Sequence, residues 1–449
     1  MSLTEFMSDE SDTNEYPISK VAKNEWLSFA MYTVEARAIP NMIDGLKPVQ
    51  RFYLYSSLLN SKTEFKKVSA VAGIISDYGY NHGEGSAAGA GQLMAATWNN
   101  NICLVEGRGS FGTRLVQEAG APRYVYTRVH KNFEKYIKDV DLAPAHDDPE
   151  HEPPAFYIPV IPLVLANGTK GIATGFATNI LPRSSNDLSR ACKEYLQKGT
   201  IAKRIPVTFP EFDGTVSFNE AENRFVVFGK FEKKSKTVIL ITEVPYGFDR
   251  ESYVSVLDDL EEKGDIVSYE DQCDKTGFRF EVKLKQNTSS NWDDDKIISK
   301  FKLSKPLTEN LTVIGFDGKL REYTDERVLV KDFCDYRLSI LQKRIDIRTQ
   351  EENELARWLK VKMQFIQSVL NNKIEFKNKK KDDVAKQIYS NTEALNDNDI
   401  DRLLRINILS LTDEMVKQLE QEINECKSRL EYWMSTTPKE QFVDDLNFK

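Results

Sequence analysis

The residues best suited to chemistry lie between Tyr80 and Tyr126. In Ala121-Pro-Arg-Tyr-Val-Tyr-Thr127, Arg123 and Tyr124 are neighbours on a run that reads as a strand. Their side chains should therefore leave opposite faces, with Tyr126 on the face of Tyr124. A phenol, with an ordinary pKa of ~10, is a weak nucleophile at neutral pH but a good leaving group, so covalent work needs neighbours that hold and polarise it. By itself the pattern also describes a half-exposed aromatic strand. Histidine is scarce, at four residues, which makes rival chemistries testable. The residues three after His82, His130, His146 and His151 are Gly85, Phe133, Pro149 and Pro154, which excludes the HxxR pair of a tyrosine recombinase. His146 and His151 sit in the acidic run AHDDPEHEPP, where they could bind a metal or simply be solvated. The run EGRGSFG places Gly107, Gly109 and Gly112 in a GxGxxG spacing. A dinucleotide site would also need a helix opening on the third glycine and a ribose-binding acid further on, and TRLVQEAGAPRY offers neither. No GxxxxGK[ST] loop occurs, so any ATP must bind another chain.

These residues need elements to hold them. Trp26, Leu27, Ala30 and Met31 recur at helical spacing between Asn24 and Thr33, and a helix should begin after Pro48 with Phe52, Tyr55 and Leu58 on one face. Lys66 to Ile75, then a glycine-containing turn from Asp77 to Gly83, then Ser86 to Trp98 outline a helix-turn-helix, which sets a second helix against a DNA groove. A strand is expected over Asn101 to Val105 and another over Arg123 to Val129. The Pro-rich acidic run marks a boundary near residue 152. Beyond it, short β-rich runs such as Arg224–Val227, Thr237–Ile241 and Phe278–Val282 alternate with helices up to about residue 330.

After Lys331 the chain becomes long charged helices. Leu338, Leu341 and Ile345 begin a stripe that resumes at Leu355, Leu359, Met363, Ile366 and Leu370. Val416, Leu419, Ile423, Cys426, Leu430 and Trp433 alternate three and four apart, the seam of an antiparallel or parallel coiled coil, and the seam implies self-association. The polar run Asn371 to Asn398 should let the two helices fold back, with a small globule at the far end.

The 449 residues suggest several domains. The formal charge is −8, yet Arg37 to Lys135 carries twelve Lys and Arg against seven Asp and Glu, leaving −13 for the rest. A basic zone on an acidic chain can bind phosphates locally. No apolar run is long enough to cross a bilayer. The acidic N-terminus lacks a signal-peptide pattern, so a cytoplasmic location is expected. Five scattered cysteines without a CxxC pair read as reduced thiols.

Five segments taken together carry a resemblance: EARAIPNMIDGLKPVQR (Glu35 to Arg51), YNHGEGS (Tyr80 to Ser86), GRGSFGTR (Gly107 to Arg114), APRYVYT (Ala121 to Thr127) and NGTKGIATGFATNILPR (Asn167 to Arg183). Their order and spacing resemble the breakage-reunion, gyrase A-like subunit of type IIA DNA topoisomerases, and the FGTR and PRYVYT spellings lean towards the eukaryotic and phage branch. The resemblance implies an α+β multidomain chain. Its parts would be a flexible acidic arm (1–22), a winged-helix DNA-gate domain built on the helix-turn-helix (23–152), a mixed α/β tower domain (153–330), a long coiled coil with a terminal dimerisation globule (331–434) and a tail (435–449).

It also implies residue roles. Tyr124 would attack the DNA backbone and form a 5′-phosphotyrosyl link, Arg123 would stabilise charge on the scissile phosphate, and His82 would place that phosphate or accept a proton. Arg37, Lys47 and Arg51 would contact phosphates, with Asn81 and Ser86 also at the DNA surface. Asn81 stands where many relatives have a second histidine, and Phe52 where a second basic residue is frequent. Ile172 would wedge between base pairs to bend the DNA. The family holds Mg²⁺ on a Glu and a DxD of a separate fold. The nearest match, Asp293-Asp-Asp295, follows a loop instead of a strand, so no metal site is assigned to this chain. Mg²⁺ and ATP are therefore expected on gyrase B-like partner subunits, with double-stranded DNA and a second copy of this chain as the other partners and no membrane. In a phage the setting would be the bacterial host cytoplasm. The resemblance sets no gyrase-like wrapping domain within these residues, so relaxation and decatenation are expected over active supercoiling. The competing expectation is a dimeric, non-catalytic DNA-binding scaffold.

Overall fold

The computed structural model describes residues 26–286, 289–393, 395–396, 398–407 and 411–448. The expected arm over 1–22, and Asn24 at the start of the first expected helix, lie outside them. The described chain forms two units, one running to Tyr336 and including Phe448, the other Arg337–Asn447. Among the described residues no helix is long and apolar enough to cross a membrane.

In the first unit the Leu27–Thr33 helix widens into a π-helical turn, Val34–Ala38, that carries Arg37. Such widened turns occur often at functional sites. Pro48 opens the Pro48–Asn60 helix, where its fixed φ suits the first turn and its missing N–H leaves no donor unmet. Gln50 Oε1 accepts the Lys47 N–H at 2.9 Å. Lys66 and Lys67 form a short strand, β1, so the expected helix begins only at Val68 and ends at Gly73. A 3₁₀ turn, Ile75–Tyr78, then leads to the Glu84–Ala95 helix. These helices pack closely because Gly91 has no side chain: a Cβ there would lie 2.2 Å from Tyr53 Cζ. Tyr53 in turn shares a 2.6 Å hydrogen bond with Thr127 Oγ1.

The strand expected over Asn101 to Val105 is displaced. The Asn101 amide donates to the carbonyls of Ala166, Arg183 and Thr208, and Ile102 exchanges two bonds with the Asn167 side chain. Side-chain bonds thus hold this segment off any sheet, and pairing starts with β2, Val105–Arg108. It pairs antiparallel with β3, Tyr126–Val129, which also pairs β1, giving the order β1-β3-β2.

Next comes a two-stranded hairpin of β4 (Thr169–Ile172) and β5 (Ala177–Ile180). Its root is clamped. Buried Arg183 makes two 2.8 Å bonds to the Glu309 carboxylate, which also accepts the Leu181 N–H. The β-rich runs expected after residue 152 appear as β6 (Thr215–Asn219), β7 (Arg224–Phe228), β8 (Lys230–Lys233), β9 (Val238–Glu243), β10 (Ile266–Asp271), β11 (Phe280–Leu284) and β12 (Ser304–Leu307). They form two antiparallel sheets, β10-β11-β9-β8 and β12-β7-β6. The Arg250–Glu262 helix buries Tyr253, Leu257 and Leu260 in one cluster with Ile239, Ile241, Phe280 and Val282 of the first sheet. A last hairpin, β13 (Leu311–Ile314) with β14 (Leu320–Tyr323), supports β5 through the Asn179 and Asn310 backbones.

The second unit corrects the seam. A 45-residue helix, Glu326–Leu370, continues into this unit, and Asp413–Ser435 runs back along it. Leu419, Ile423 and Cys426 are buried in one cluster with Leu359, Val361, Phe365 and Ile366 of the same chain. Glu352 accepts from Cys426 Sγ at 3.1 Å and from Arg429 Nε at 2.8 Å. The seam from Val416 to Cys426 is therefore covered within one chain, and self-association does not follow from that part of it. Part of the expected stripe faces water, since Leu355 and Leu370 are exposed while Val361 and Phe365 are buried. The polar run 371–398 contributes the Lys381–Asn391 helix, whose Val384 and Ile388 join the same core, as do Ile400 and Leu403 of the Asp399–Leu404 helix.

One buried pair organises the loop before Pro48. The Asp44 carboxylate accepts two bonds from Arg51, one from the Leu46 N–H and one from the Tyr157 N–H. Asp44→Ala leaves the Arg51 guanidinium buried without its counter-ion, and breaking a buried pair costs about 3–5 kcal/mol. Urea unfolding should give a free energy lower by about that amount, seen as a lower midpoint, and a midpoint equal to wild type would show that the loop does not depend on the pair.

Candidate nucleic-acid interface

Tyr124 sits on a turn, not on a strand. Residues Pro122–Tyr124 make the turn, closed by the Tyr124 N–H donating to Ala121 O at 2.8 Å, and β3 begins two residues later. The strand alternation expected for Arg123 and Tyr124 therefore fails. Both are exposed, and the Arg123 guanidinium lies 4.7 Å from the centre of the Tyr124 ring. Beneath them Val125 is buried, its carbonyl accepting the Val68 N–H at 3.0 Å while Pro122 O accepts the Ser69 N–H. Gly109, at φ 119, closes over Val125, where a Cβ would meet Val125 Cγ1 at 3.0 Å. The turn is thus anchored from below while Tyr124 is 69% exposed, which leaves its phenol open to a large partner. Tyr126, half-buried and paired in β3 with Lys67 and Arg108, has no such freedom.

A second group surrounds His82. Its Nε2 lies 2.7 Å from the Tyr32 hydroxyl and its Nδ1 3.4 Å from Arg37 Nη2. Tyr80 meets the imidazole edge to face at 5.3 Å. Burial first, and then the Arg37 charge, lower the His82 pKa from its ordinary value, so the ring stays neutral at neutral pH. Asn81 and Ser86 are exposed nearby in sequence, Ser86 in the first turn of the Glu84–Ala95 helix. Tyr32 was not singled out by its sequence, because its tie to His82 spans fifty positions. Among the described residues no hydrogen bond or ring contact joins Tyr124 to His82.

A third group is the hairpin. Ile172, at the end of β4, is 88% exposed, an extreme value for an apolar side chain. Gly171 permits this placement, since a Cβ there would lie 2.0 Å from Ala38 O. Lys47 donates to Lys170 O at 2.7 Å, which ties the basic loop to the hairpin, and burial lowers its pKa. The Lys305 ammonium is lowered in the same way, by burial and then by the charge of Lys170. Lys47, Lys170 and Lys305 have no carboxylate partner among the described residues, whereas Arg51 is held through its Nε and Nη2. Its guanidinium, 8% exposed, binds Asp44 and Leu46 O. A phosphate contact by Arg51, as expected from sequence, would have to be made from a guanidinium already paired with Asp44. Arg114 of the GRGSFGTR segment is likewise buried, bonded to Glu243 and enclosed by Phe212, Tyr246 and Phe278.

Neither acidic segment makes a cation site. His146 and His151 stack at 4.3 Å, with Asp148 bonded to both. Asp293 caps the Asp294–Lys300 helix by accepting the Lys296 N–H, and Asp294 pairs with Lys233. Among the described residues no group of three or more His, Cys, Asp or Glu is disposed to hold a metal.

The fold and the residues on it have counterparts in known proteins. A solved DNA-binding, cleavage and re-ligation domain of Plasmodium falciparum topoisomerase II superposes with a TM-score of 0.83 at 27% identity, over 94% of this chain and 62% of that one. The architecture is thus that of a type II topoisomerase cleavage region. The family model for the A-type subunit of DNA gyrase/topoisomerase IV matches residues 37–448, and the chain belongs to that family. The DNA topoisomerase medium subunit of Enterobacteria phage T4 is 41% identical over 441 residues, 96% of this chain and 98% of the relative. The mitochondrial DNA topoisomerase 2 of Dictyostelium discoideum is 27% identical over 441 residues, 94% of this chain but 34% of the relative. The chain therefore spans nearly the whole phage relative and about a third of the eukaryotic one.

The histidines give a pH prediction. Burial lowers the pKa of His82, His130 and His146, so the fold favours their neutral forms. The unfolded chain takes up protons first, from ~6.5 downward, so stability holds above that pH and falls as the pH drops through the lowered folded values. Thermal melts between pH 8 and 5 should show a plateau and then a decline beginning below about 6.5; melting temperatures that rise over the same window would contradict these environments.

Proposed function

We propose that this chain is the DNA breakage-and-rejoining subunit of an ATP-dependent type IIA topoisomerase, with Tyr124 as the nucleophile. The observation that carries the assignment is the exposed Tyr124 phenol on an anchored turn beside the Arg123 guanidinium. The phenol oxygen attacks a backbone phosphorus and the 3′ oxygen leaves. A phosphodiester link to the protein replaces the one in DNA, so the bond energy is kept and the step reverses when the 3′ oxygen returns. Arg123 stabilises the charge that gathers on the phosphate oxygens. Arg37 holds a phosphate nearby and His82 helps to place it, with Asn81 and Ser86 along the same DNA surface. Lys47 is positioned for the backbone where the hairpin meets the gate.

Residues 23–152 act as a winged-helix DNA gate, 153–330 as the α/β tower that carries the β4-β5 hairpin, and 331–434 as the coiled coil with its dimerisation globule. Ile172 serves as the wedge: an apolar side chain exposed at 88% gains burial when it enters a base step. Mg²⁺ and ATP are placed on gyrase B-like partner subunits. Support comes from the commitment of Asp148 and Asp293 to internal hydrogen bonds and from the match to about a third of a longer relative. A closed two-fold dimer gives each antiparallel strand one Tyr124 in equivalent geometry. With a phage relative nearly equal in extent, the working place is the cytoplasm of a bacterial host. A non-catalytic scaffold has no use for an exposed, supported phenol.

Two experiments test this reading. Tyr124→Phe removes one oxygen, so covalent protein–DNA product trapped by detergent should vanish while DNA binding persists, and dimers with one such chain should nick plasmid without linearising it. Double-strand cleavage by a dimer carrying Tyr124→Phe on both chains would refute the assignment. Separately, Ile172→Ala should retain DNA binding within about 1 kcal/mol but lose bending, because most contacts are to the backbone; fluorescence measurements giving an unchanged bend angle would remove the wedge.

A further inference from the structure

We propose that the Tyr32 hydroxyl is a further phosphate donor of the DNA gate, presented outward by His82 and Arg37 behind it. The proposal rests on the function assigned above and adds a contact to it. A guanidinium carries only donors, so the 3.4 Å approach of Arg37 Nη2 to His82 Nδ1 requires a lone pair on Nδ1. A neutral imidazole has one proton, and it must then sit on Nε2. At 2.7 Å from the Tyr32 oxygen, Nε2–H donates and Tyr32 accepts. Among the described residues the hydroxyl proton of Tyr32 is thereby left without an acceptor. Tyr32 is 43% exposed, so that proton can point to an incoming acceptor.

The surroundings keep this order. Tyr80 fixes the imidazole plane from one side, and Arg37 lies 5.7 Å from the centre of the Tyr32 ring, adding positive charge beside the hydroxyl. The other charged and titratable groups on the adjoining cavity are Glu35, Arg51, Asp148, His146 and His151. Asp148 is engaged by His151 and Arg51 by Asp44, and no carboxylate among the described residues bonds His82 to pull a proton onto Nδ1. A neutral acceptor gains little from a cation held behind the donor, whereas an anionic oxygen gains from both. The DNA backbone supplies such oxygens where the basic zone holds it. His82 consequently acts through Tyr32, and its own two nitrogens are both occupied.

Two measurements on the full chain decide this. With ¹⁵N-labelled histidine, four imidazoles report, and the His82 signal is the one lost in His82→Asn. Nitrogen shifts at pH 7.5 should show the proton on Nε2; a proton on Nδ1 would mean that Tyr32 spends its hydroxyl on His82, and would overturn the proposal. In the enzyme reconstituted with its partner subunits, Tyr32→Phe keeps the ring and removes the donor. Single-turnover cleavage should slow roughly 10- to 100-fold, the size of one lost hydrogen bond to a charged group. DNA affinity should change by less than about threefold, since many other phosphate contacts remain. An unchanged cleavage rate would also overturn it. Tyr124→Phe run in parallel separates the two claims: if it still cleaves, the assigned function fails, while the nitrogen shifts judge Tyr32 independently.

Discussion

The buried Asp44 carboxylate is the constraint on which the DNA-facing surface depends. It gathers Arg51 from the Pro48–Asn60 helix, the Leu46 N–H from the preceding loop and the Tyr157 N–H from a segment more than a hundred residues away. An ion pair removed from water is costly unless every lone pair and donor is used, and here four donors converge on one carboxylate. The geometry of the loop is fixed as a result. Lys47, next to it, can then be held against the hairpin through the Lys170 carbonyl instead of moving freely.

The exposed groups share one design, in which backbone and small residues below them supply the rigidity that their own side chains lack. Tyr124 stands on Val125, which is pinned to the Val68–Gly73 helix and covered by Gly109. Ile172 stands next to Gly171, pressed onto the Ala38 carbonyl, with the hairpin root locked by Arg183 and Glu309. A reactive or wedging side chain loses conformational freedom only once, at contact with DNA, when its backbone is already fixed. The charged residues divide in the same sense. Arg51, Arg114 and Arg183 are buried with carboxylates and hold the frame, while Arg37, Arg123 and Lys47 have no carboxylate partner among the described residues.

In the second unit the Val416 to Cys426 part of the apolar seam that looked like a dimer interface is covered by the chain's own 45-residue helix. A heptad pattern states that a face must be covered and leaves open what covers it. Glu352 decides the matter here, since it pairs with Arg429 and Cys426 of the returning helix.

What the sequence by itself determined was the family and the existence of most elements, because residue type, short spacing and hydrophobic period are local properties of the chain. The candidates Tyr124, Arg123, His82 and Ile172 were named on that basis, and β7, β9, β11 and the long helices were legible. Tertiary structure alone decided the rest. That Arg51 is locked on Asp44, that Arg123 and Tyr124 lie together on a turn, that Asn101 keeps its neighbours out of a sheet and that Tyr32 meets His82 all depend on partners distant in sequence. Burial and hydrogen bonding are settled by which surfaces meet, and a charge that reads as free in sequence becomes structural once folding places a carboxylate against it.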